Sequence, residues 1–319
     1  MAVGIAPPGS EPLYELSGLE VRLFSKLRAT IAFICVTAFP CQGQNGTGQP
    51  PCPDDTTLAW SGCFGTFVFE GGSKYVGEWK DDKYDGFGTY FGRNGDSYVG
   101  EFRQDKRSGR GVYISPDGSR YEGAYVADRR NGVGIYESNR GERYVGDYVD
   151  DRRDGMGVLT LPSGEKYVGG FKADARHGHG VQTLPDGSQY AGEFRDDKRN
   201  GEFIVSYGNG EKYFGQFANG RFNGQGVYLY RNGEKYVGEW RDDRKEGRGT
   251  YSFANGDEYA GQWHAERMDG LGVYFFHDGR RFAGTWRDNL QSGKGILYDR
   301  YGSILSVGVW ERGILVGGQ

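Results

Sequence analysis

The chain has 319 residues, with 39 basic and 43 acidic side chains and a net charge of −4. This balance argues against general affinity for nucleic acid, which needs a basic surface, and it removes the simplest route to anionic membranes. The 57 glycines lack the three-residue period of collagen, so we expect them to serve turns and close packing.

Residues 1–57 differ in kind from the rest and predict a leader that is largely disordered. Within it, residues 11–28 have leucines at helical spacing, and residues 29–39 form a mainly apolar run. That run is too short to span a bilayer, although its length suits the apolar core of a signal peptide. The acidic residues before it disfavour secretion or organelle targeting. A cytoplasmic protein, peripheral to a membrane or the cytoskeleton, is the favoured prediction.

All four cysteines precede the regular part of the chain: Cys35, Cys41, Cys52 and Cys63. Free thiols in a flexible leader are favoured over a disulfide framework, since disulfides need an oxidising compartment. Their spacing does not resemble the paired Cys-x-x-Cys of a zinc site.

An aromatic residue then recurs every 23 residues, at Tyr75, Tyr98, Tyr121, Tyr144, Tyr167, Tyr190, Tyr213, Tyr236, Tyr259 and Phe282. Each is followed by a glycine two residues later and by a second aromatic residue four residues later. A charged stretch, a Gly-x-Gly pair and a turn dipeptide such as Asn94-Gly95 complete the unit. Such regularity is the signature of a tandem repeat protein.

The unit predicts a β-hairpin. Side chains alternate across a strand, so Tyr75, Gly77 and Trp79 share one face, and a ring can approach where Gly77 has no side chain. A second strand is predicted at residues 88–91. The fold class is therefore all-β: an elongated single-layer antiparallel meander of 23-residue hairpins. We expect a degenerate N-terminal cap repeat at 58–74, ten repeats at 75–304 and a C-terminal cap at 305–319.

The turn between repeats fixes which residues face each other. Segments such as Pro116-Asp117-Gly118 favour a type I turn closed by a left-handed glycine, which gives a three-residue hairpin loop. This register sets Tyr90 opposite Tyr98 and Tyr113 opposite Tyr121, so that rings gather on one face. A two-residue turn would set Tyr90 opposite Val99 instead.

The pattern resembles the MORN repeat (membrane occupation and recognition nexus). Tyr75-Val-Gly-Glu-Trp79 with Asp85-Gly-Phe-Gly-Thr89 carries the resemblance. It implies a grooved β-sheet that acts as a scaffold, and phosphoinositide binding has been proposed for the family. Departures are Phe203 in place of a glycine, Asn219-Gly220 in place of an acidic pair, and three replacements of the second-strand tyrosine, at Leu159, Gln182 and Val205. A specific function is expected in the leader and in the irregular units around Phe203 to Asn223.

Catalytic and metal sites are not predicted. The glycine-rich strings do not lead from a strand into a helix, so they lack the geometry of a phosphate loop. Paired acids such as Asp81-Asp82 lack the alternating ligands of a calcium loop and are expected to be solvated, self-paired hairpin tips. His177 and His179 have no third ligand. We expect no enzyme activity, cofactor or metal.

A binding role is expected for the aromatic face, because a single-layer sheet cannot bury both faces alone. The predicted partner-binding residues are Tyr98, Phe102, Tyr113, Tyr121, Tyr125, Trp240 and Trp263. The favoured partner is a protein helix lying in a groove, with a second copy of the chain as another occupant. The alternatives are a phospholipid-binding membrane tether and a regulatory subunit of an enzyme encoded elsewhere. Nucleic acid is not an expected partner.

Overall fold

A computed structural model describes residues 48–55 and 57–318. The chain divides into two compact units, Met1–Gly48 and Gln49–Gln319, and the described residues lie almost entirely in the second. The predicted helix at 11–28, the apolar run at 29–39, Cys35 and Cys41 fall outside the described residues. No helix long and apolar enough to cross a membrane occurs in the described part.

The second unit is built from 23 strands and, over the described residues, contains no helix. The strands, β1 to β23 in chain order, are Cys63–Val68, Lys74–Lys80, Lys83–Phe91, Ser97–Arg103, Lys106–Ile114, Arg120–Val126, Arg129–Glu137, Arg143–Val149, Arg152–Thr160, Lys166–Lys172, Ala175–Thr183, Gln189–Arg195, Lys198–Ser206, Lys212–Ala218, Arg221–Leu229, Lys235–Arg241, Arg244–Ser252, Glu258–His264, Arg267–Phe275, Arg281–Arg287, Leu290–Tyr298, Ile304–Glu311 and Ile314–Gly318. Each pairs antiparallel with the next, beginning with β1 and β2 and ending with β22 and β23. The predicted all-β meander of hairpins is confirmed.

The turn between repeats has the predicted three-residue loop. Tyr90 lies opposite Tyr98 and Tyr113 opposite Tyr121. Between β3 and β4, the Gly92 N–H donates to the Asp96 carbonyl (2.9 Å) and the Gly95 N–H donates to the Gly92 carbonyl (3.1 Å). Gly95 has φ +92°, the left-handed conformation that this loop needs. The alternative register, with Tyr90 opposite Val99, is wrong.

The other turn of each repeat is shorter than predicted, and the second strand is longer. Only Asp81 and Asp82 form the tip, both with positive φ, and β3 starts at once with Lys83. The charged stretch is thus strand rather than loop. A β-bulge makes this longer strand hard to recognise in the sequence. Gly77 faces Gly88 and Trp79 faces Tyr84, so the single residue between Gly77 and Trp79 on β2 lies opposite three residues on β3. A bulge of this kind interrupts the alternation by which a strand is recognised.

One face of the sheet holds the core. Tyr75, Gly77 and Trp79 are buried as the alternation predicts, and the Tyr75 ring lies directly over Gly77 and Gly88. The glycines thus admit a ring from their own repeat. We call this side, which carries the repeated Tyr and Trp or Phe residues, the aromatic face.

The opposite face carries a row of small and β-branched side chains, one from each strand. Val76 faces Thr89, and Thr89 in turn faces Val99. Residues of this kind suit the pleated surface of a strand. Over the described residues, neither face is covered by a second sheet or by a helix.

The N-terminal edge corrects the prediction of free thiols. Cys52 and Cys63 form a disulfide with an S–S distance of 2.06 Å. The prediction failed because the chain before β1 is not loose: Pro51 bridges to Phe64, and the Phe64 N–H donates to the Pro50 carbonyl (2.8 Å). This pairing places Cys52 beside Cys63, and the folded unit begins before residue 58, the predicted start of the cap.

The C-terminal edge has an irregular register. Leu297 faces Ser306, but the next pair is Tyr298 with Ile304, which leaves Leu305 without an opposite residue. Register is then regular for Gly308 and Trp310, and the Trp310 ring lies 5.1 Å from that of Phe282. The aromatic row of the repeats therefore continues into the last strands.

Candidate binding surface

The aromatic face is organised by a continuous series of ring contacts, which we call the ring ladder. Within a repeat, Tyr75 meets Trp79 edge-on at 5.2 Å; between repeats, Tyr75 meets Phe102 edge-on, also at 5.2 Å. The same two contacts recur along the array. Perpendicular pairs of this kind stabilise by about 0.5–1.5 kcal/mol beyond the area they bury. In the regular repeats, the first tyrosine is also anchored by its hydroxyl, as when Tyr98 donates to the Glu101 carbonyl (3.1 Å).

The structure places the seven predicted partner-binding residues on this face. Six of them belong to the ring ladder and are almost inaccessible, with exposed fractions of 2% to 6%: Tyr98, Phe102, Tyr121, Tyr125, Trp240 and Trp263. Tyr113 is half-buried. The five residues between 98 and 125 lie together, whereas Trp240 and Trp263 form a separate group around Tyr236. A partner role for these residues stays a prediction; the contact that the structure gives the six buried ones is with one another.

A row of cations lies above the ladder, and it was not among the predicted features. The Arg107 guanidinium is 5.1 Å from the Tyr125 ring centre and 5.4 Å from that of Tyr113. Such contacts are favourable because the ring face is electron-rich. The signal was present as a basic residue at the same position of six repeats, at Arg107, Arg130, Arg153, Arg176, Arg199 and Lys245.

Most of these cations are neutralised by acids from the next hairpin tip. Arg107 pairs with Asp128 (3.3 Å), and Arg130 pairs with Asp151 (3.2 Å). The tip acids were predicted to pair within their own tip, but their ion pairs are instead with the preceding repeat. Exposed pairs of this kind contribute little individually, so their effect is mainly to position the cations.

The second tip residue also binds the preceding repeat through its backbone. The Asp105 N–H donates to the Tyr84 carbonyl (3.0 Å), while its side-chain carboxylate accepts from the Tyr84 N–H (2.8 Å). On the other side of the tip, the Gln104 N–H donates to the Asp85 carboxylate (3.3 Å). We call this set of bonds the tip clasp. It recurs along the array and explains why an acid is favoured at a left-handed position.

A shallow groove of about 550 Å³ lies on this face between the ladder and the inter-repeat turns. Tyr113, Tyr136, Arg107 and Arg130 line it, together with turn residues such as Asp117. The Tyr113 hydroxyl donates to Asp96 (3.2 Å), and burial followed by this carboxylate raises the pKa of Tyr113. Below the groove, burial raises the pKa of Tyr125 to about 12. The accessible layer thus consists of tyrosine hydroxyls, guanidiniums and turn carboxylates.

The ladder changes course in the irregular units that the sequence singles out. Phe203 stands where a glycine is expected, and its ring lies over Gly192, the place that a ladder tyrosine takes in other repeats. Tyr190 is thereby displaced: its ring contacts Tyr207 at 6.0 Å and lies 3.5 Å from the Arg199 guanidinium. The ladder continues instead through Phe194, Phe203 and Phe217.

The two clustered histidines are not brought together with other ligands. His177 Nδ1 lies 3.4 Å from Asp196, a tip acid. Across residues 48–55 and 57–318, no three His, Cys, Asp or Glu side chains form a group that could hold a metal ion.

Comparison with known proteins gives one strong match. The family model for the MORN repeat matches ten segments that together make up more than half of the chain: residues 75–97, 98–120, 121–143, 144–166, 167–189, 190–202, 213–235, 236–258, 259–280 and 282–300. The sixth segment stops just before Phe203, where the pattern breaks. No curated protein matches the chain.

Solved structures match only distantly. The SAS-4 (dCPAP) TCP domain of Drosophila melanogaster, in complex with a proline-rich motif of Ana2, has 15% identity and a TM-score of 0.34, covering 53% of this chain and 90% of its own. The TCP10 domain of Danio rerio CPAP, in complex with a STIL peptide, has 13% identity and a TM-score of 0.24, covering 77% and 93%. Virginiamycin B lyase from Staphylococcus aureus has 10% identity and a TM-score of 0.15, covering 76% and 82%. TM-scores of this size do not establish a common fold.

Proposed function

The chain belongs to the MORN repeat family, and on that premise we propose that it is a non-catalytic scaffold that binds a protein partner along its aromatic face. The observation that carries the proposal is the accessible layer above the ring ladder, where Tyr113 and Tyr136 alternate with Arg107 and Arg130 in one groove. Tyrosine and arginine are the residues most enriched at protein interfaces and their energetic centres.

The buried ladder supports this role by keeping the groove rigid. Tyr121 and Tyr125 beneath it are 2% and 3% exposed, and they are held by edge-on ring contacts. A preorganised surface loses little conformational entropy when a partner binds. The partner that suits a long groove with repeated anchors is an amphipathic helix, whose side chains recur along one face.

Phospholipid binding is the alternative, and the charges of the aromatic face disfavour it. Attraction to an anionic membrane requires uncompensated basic residues. Here Arg107, Arg130, Arg153 and Arg176 each have a carboxylate within 4 Å. Most of the charge of this cation row that would attract headgroups is therefore already paired inside the array.

The test compares capture of partners by matched variants in the native cell. Proximity labelling with the full chain is repeated with Tyr113→Ala plus Tyr136→Ala, and with Val126→Ala, an exposed residue whose side chain lies on the opposite face. We expect the tyrosine variant, but not Val126→Ala, to lose specific proteins, whose binding is then measured with purified components. Equal labelling by all three chains would contradict the proposal.

A vesicle experiment separates the lipid alternative. Co-sedimentation of the full chain with phosphatidylcholine vesicles containing phosphatidylserine should be negligible if the face is neutralised internally. Strong binding that is lost on adding about 0.3 M salt would instead indicate a charged membrane tether, because salt screens exposed charges.

A further inference from the structure

Two successive members of the cation row have equivalent pairs of counter-ions, one from the preceding turn and one from the following tip. Arg153 pairs with Glu142, 11 residues before it (3.4 Å), and with Asp174, 21 residues after it (3.4 Å). Arg176 repeats the arrangement with Glu165 (3.3 Å) and Asp197 (3.0 Å). Each guanidinium is thus held between a carboxylate from the preceding turn and one from the following tip.

The next cation in the row, Arg199, has lost both counter-ions. The residue 11 before it is Ser188 and the residue 21 after it is Gly220, so neither position carries an acid. Within the described part of the chain, Arg199 has no carboxylate within 4 Å. Its Nε and Nη2 both donate to the Gln182 side-chain oxygen, at 3.3 and 2.9 Å, and Nη1 has no acceptor there.

The surroundings of Arg199 make this unpaired charge costly. Its guanidinium lies 3.5 Å from the centre of the Tyr190 ring and 5.9 Å from that of Phe217, and the residue is half-buried. This burial lowers the pKa of Arg199 below its ordinary value. A cation that is partly removed from water without an anion is destabilising unless something else supplies the negative charge.

The displaced tyrosine adds an apolar wall to the same place. Tyr190 is out of the ladder because Phe203 lies over Gly192, and its ring now stands between Arg199 and Tyr207. Two departures from the repeat pattern, Phe203 and Gly220, and a serine at position 188 where the two preceding repeats have Glu142 and Glu165, therefore converge on one guanidinium. In the regular repeats all three positions serve internal packing or charge pairing.

We propose that Arg199 is the anchor of a carboxylate-binding subsite that receives an Asp or Glu side chain of a protein partner, beside the rings of Tyr190 and Tyr207. The proposal rests on the scaffold function above and names the chemistry of one contact. A carboxylate is the group that the regular repeats place against this guanidinium, from Glu142 and Asp174 in one repeat and from Glu165 and Asp197 in the next. A single acidic side chain also matches a single unpaired cation, whereas a phosphate would leave excess negative charge.

Glu165, the acid whose charge influences Arg199, does not fill the subsite. Glu165 already accepts a hydrogen bond from the Gln182 amide (2.6 Å) and pairs with Arg176. Gln182 in turn presents its oxygen to Arg199. The neighbouring carboxylate is thereby used elsewhere, and Nη1 of Arg199 is left for a ligand from outside.

The test uses the full chain and a blocked tetrapeptide, acetyl-Gly-Glu-Phe-Gly-amide, with its Gln counterpart as control. Binding is read from the arginine Nε–H resonances, in which Arg107, Arg130 and Arg176 serve as internal controls. We expect the Arg199 resonance to shift saturably with the Glu peptide, with affinity at least about tenfold weaker for the Gln peptide, since a charge-assisted hydrogen bond is lost. Equal response to both peptides would overturn the proposal.

Two matched variants at Gly220, the tip position that lacks an acid, test the subsite without removing any contact that stabilises the fold. Gly220→Asp restores the acid found at Asp174 and Asp197 and should weaken the Glu peptide about tenfold by occupying Arg199 internally. Gly220→Asn adds the same bulk without charge and should bind as the wild type does. Both residues accept the left-handed backbone, as Asp197 and Asn289 do at other tips. Wild-type affinity in Gly220→Asp would count against the subsite.

The same variants distinguish failure of this inference from failure of the scaffold function. If the tyrosine double variant loses partners while Gly220→Asp keeps them and binds the peptide normally, the scaffold stands and the subsite is wrong. If Arg199 responds to the Glu peptide but no labelled protein depends on Tyr113 and Tyr136, the scaffold proposal is wrong.

Discussion

At the scale of single residues, the fold depends on a contact that every regular repeat makes again. The ring of the repeat tyrosine lies across two facing glycines, one on its own strand and one on the next, as Tyr98 does over Gly100 and Gly111. The glycine pair is therefore a receptacle for the ring. This accounts for the strict spacing of Tyr and Gly in the sequence, because any side chain at either glycine would occupy the space of the ring.

Substitution of Gly111 by alanine tests this account. A Cβ at Gly111 would overlap the Tyr98 ring and hydroxyl, and neither can move freely between their neighbours. We expect a loss of about 2 kcal/mol in the free energy of unfolding, the usual effect of overpacking a core. Urea unfolding measures it. The control is Gly71→Ala, where a Cβ meets no atom within 4 Å and φ is not positive. An equal loss of unfolding free energy in both variants would show that the glycine pair is not needed to hold the ring.

The burial of the tyrosine hydroxyls predicts sensitivity to alkali. Burial raises the pKa of Tyr125 to about 12, whereas an unfolded tyrosine ionises near 10. A raised folded pKa stabilises the fold below pH 10, and this contribution, about 3 kcal/mol for Tyr125, is lost as the pH rises from 10 through 12. Phenolate absorbance and circular dichroism, followed together, should change in one transition. Tyr125→Phe should shift that transition to higher pH; ionisation of the ladder without loss of the sheet would contradict the prediction.

At the scale of the hairpin, two different turns perform two different tasks. The three-residue loop sets the register that brings Tyr90 opposite Tyr98, and the two-residue tip binds the preceding repeat through the tip clasp. The acid at the second tip position combines a left-handed backbone with a side-chain acceptor. Aspartate and asparagine suit such positions because their short polar side chains can bond locally.

Substitutions at Asp105 separate these two properties. Asp105→Gly relieves the left-handed backbone but removes the acceptor for the Tyr84 N–H, and we expect a loss of about 1 kcal/mol. Asp105→Asn keeps both properties and should be close to neutral. Hydrogen exchange at the Tyr84 amide reports the bond directly. Unchanged protection in Asp105→Gly would show that the backbone bonds of the tip suffice.

The sequence predicts the hairpin well where turn chemistry and alternation agree. The pairing of Tyr113 with Tyr121 follows from Pro116-Asp117-Gly118, and the buried face follows from Tyr75, Gly77 and Trp79. The long second strand could not be predicted, because the bulge opposite Glu78 breaks the alternation. For Glu101 at the next such bulge, the carboxylate accepts the Arg110 N–H (3.0 Å), a local role that no residue pattern announces.

The candidate site was predicted only in part, because the sequence does not show which side chains lie above the aromatic rings. The aromatic residues at the right period were visible, but their spacing does not tell which rings are covered by side chains from the next strand. Arg107 lies above Tyr125 because the tip places Asp128 beside it. That arrangement depends on contacts 21 residues apart, and it emerges only when the register of both turns is known.

At the scale of the molecule, each strand pairs only with its sequence neighbours, so the two edges behave separately from the middle. At the N-terminal edge, the Cys52–Cys63 disulfide holds the segment before β1 against that strand. Cys52 packs on Gly65, as a ladder tyrosine packs on its glycines. The disulfide thus supplies the cover that the first strand would otherwise receive from a preceding repeat.

Loss of this disulfide should loosen the first edge alone. Cys52→Ser with Cys63→Ser should lower the free energy of opening β1 by about 3 kcal/mol, as expected for a short closed loop. Hydrogen exchange at the Phe64 amide, which donates to Pro50, should quicken, while amides of β4 and beyond should not change. Cys35→Ser with Cys41→Ser is the control. Exchange that quickens along the whole sheet would contradict the independence of the edges.

The repeat period itself gives the strongest test of a linear array. Excision of residues 121–143 removes one complete matched repeat and joins Arg120 to Tyr144. Tyr98 should then meet Tyr148 as it now meets Tyr125, at about 5.3 Å, and Arg107 should pair with Asp151 in place of Asp128. Because stability in such arrays is nearly a sum over units and their interfaces, we expect a folded sheet with a modestly lower thermal midpoint.

Excision of residues 121–131 removes half a unit and leaves Arg107 and Tyr98 without a matching tip or ring. That chain should unfold in two separate steps, because the mismatched junction uncouples the strands before it from those after it while each part keeps its own neighbour pairings; comparable melting of the two shortened chains would mean that the 23-residue unit is not what holds the sheet together.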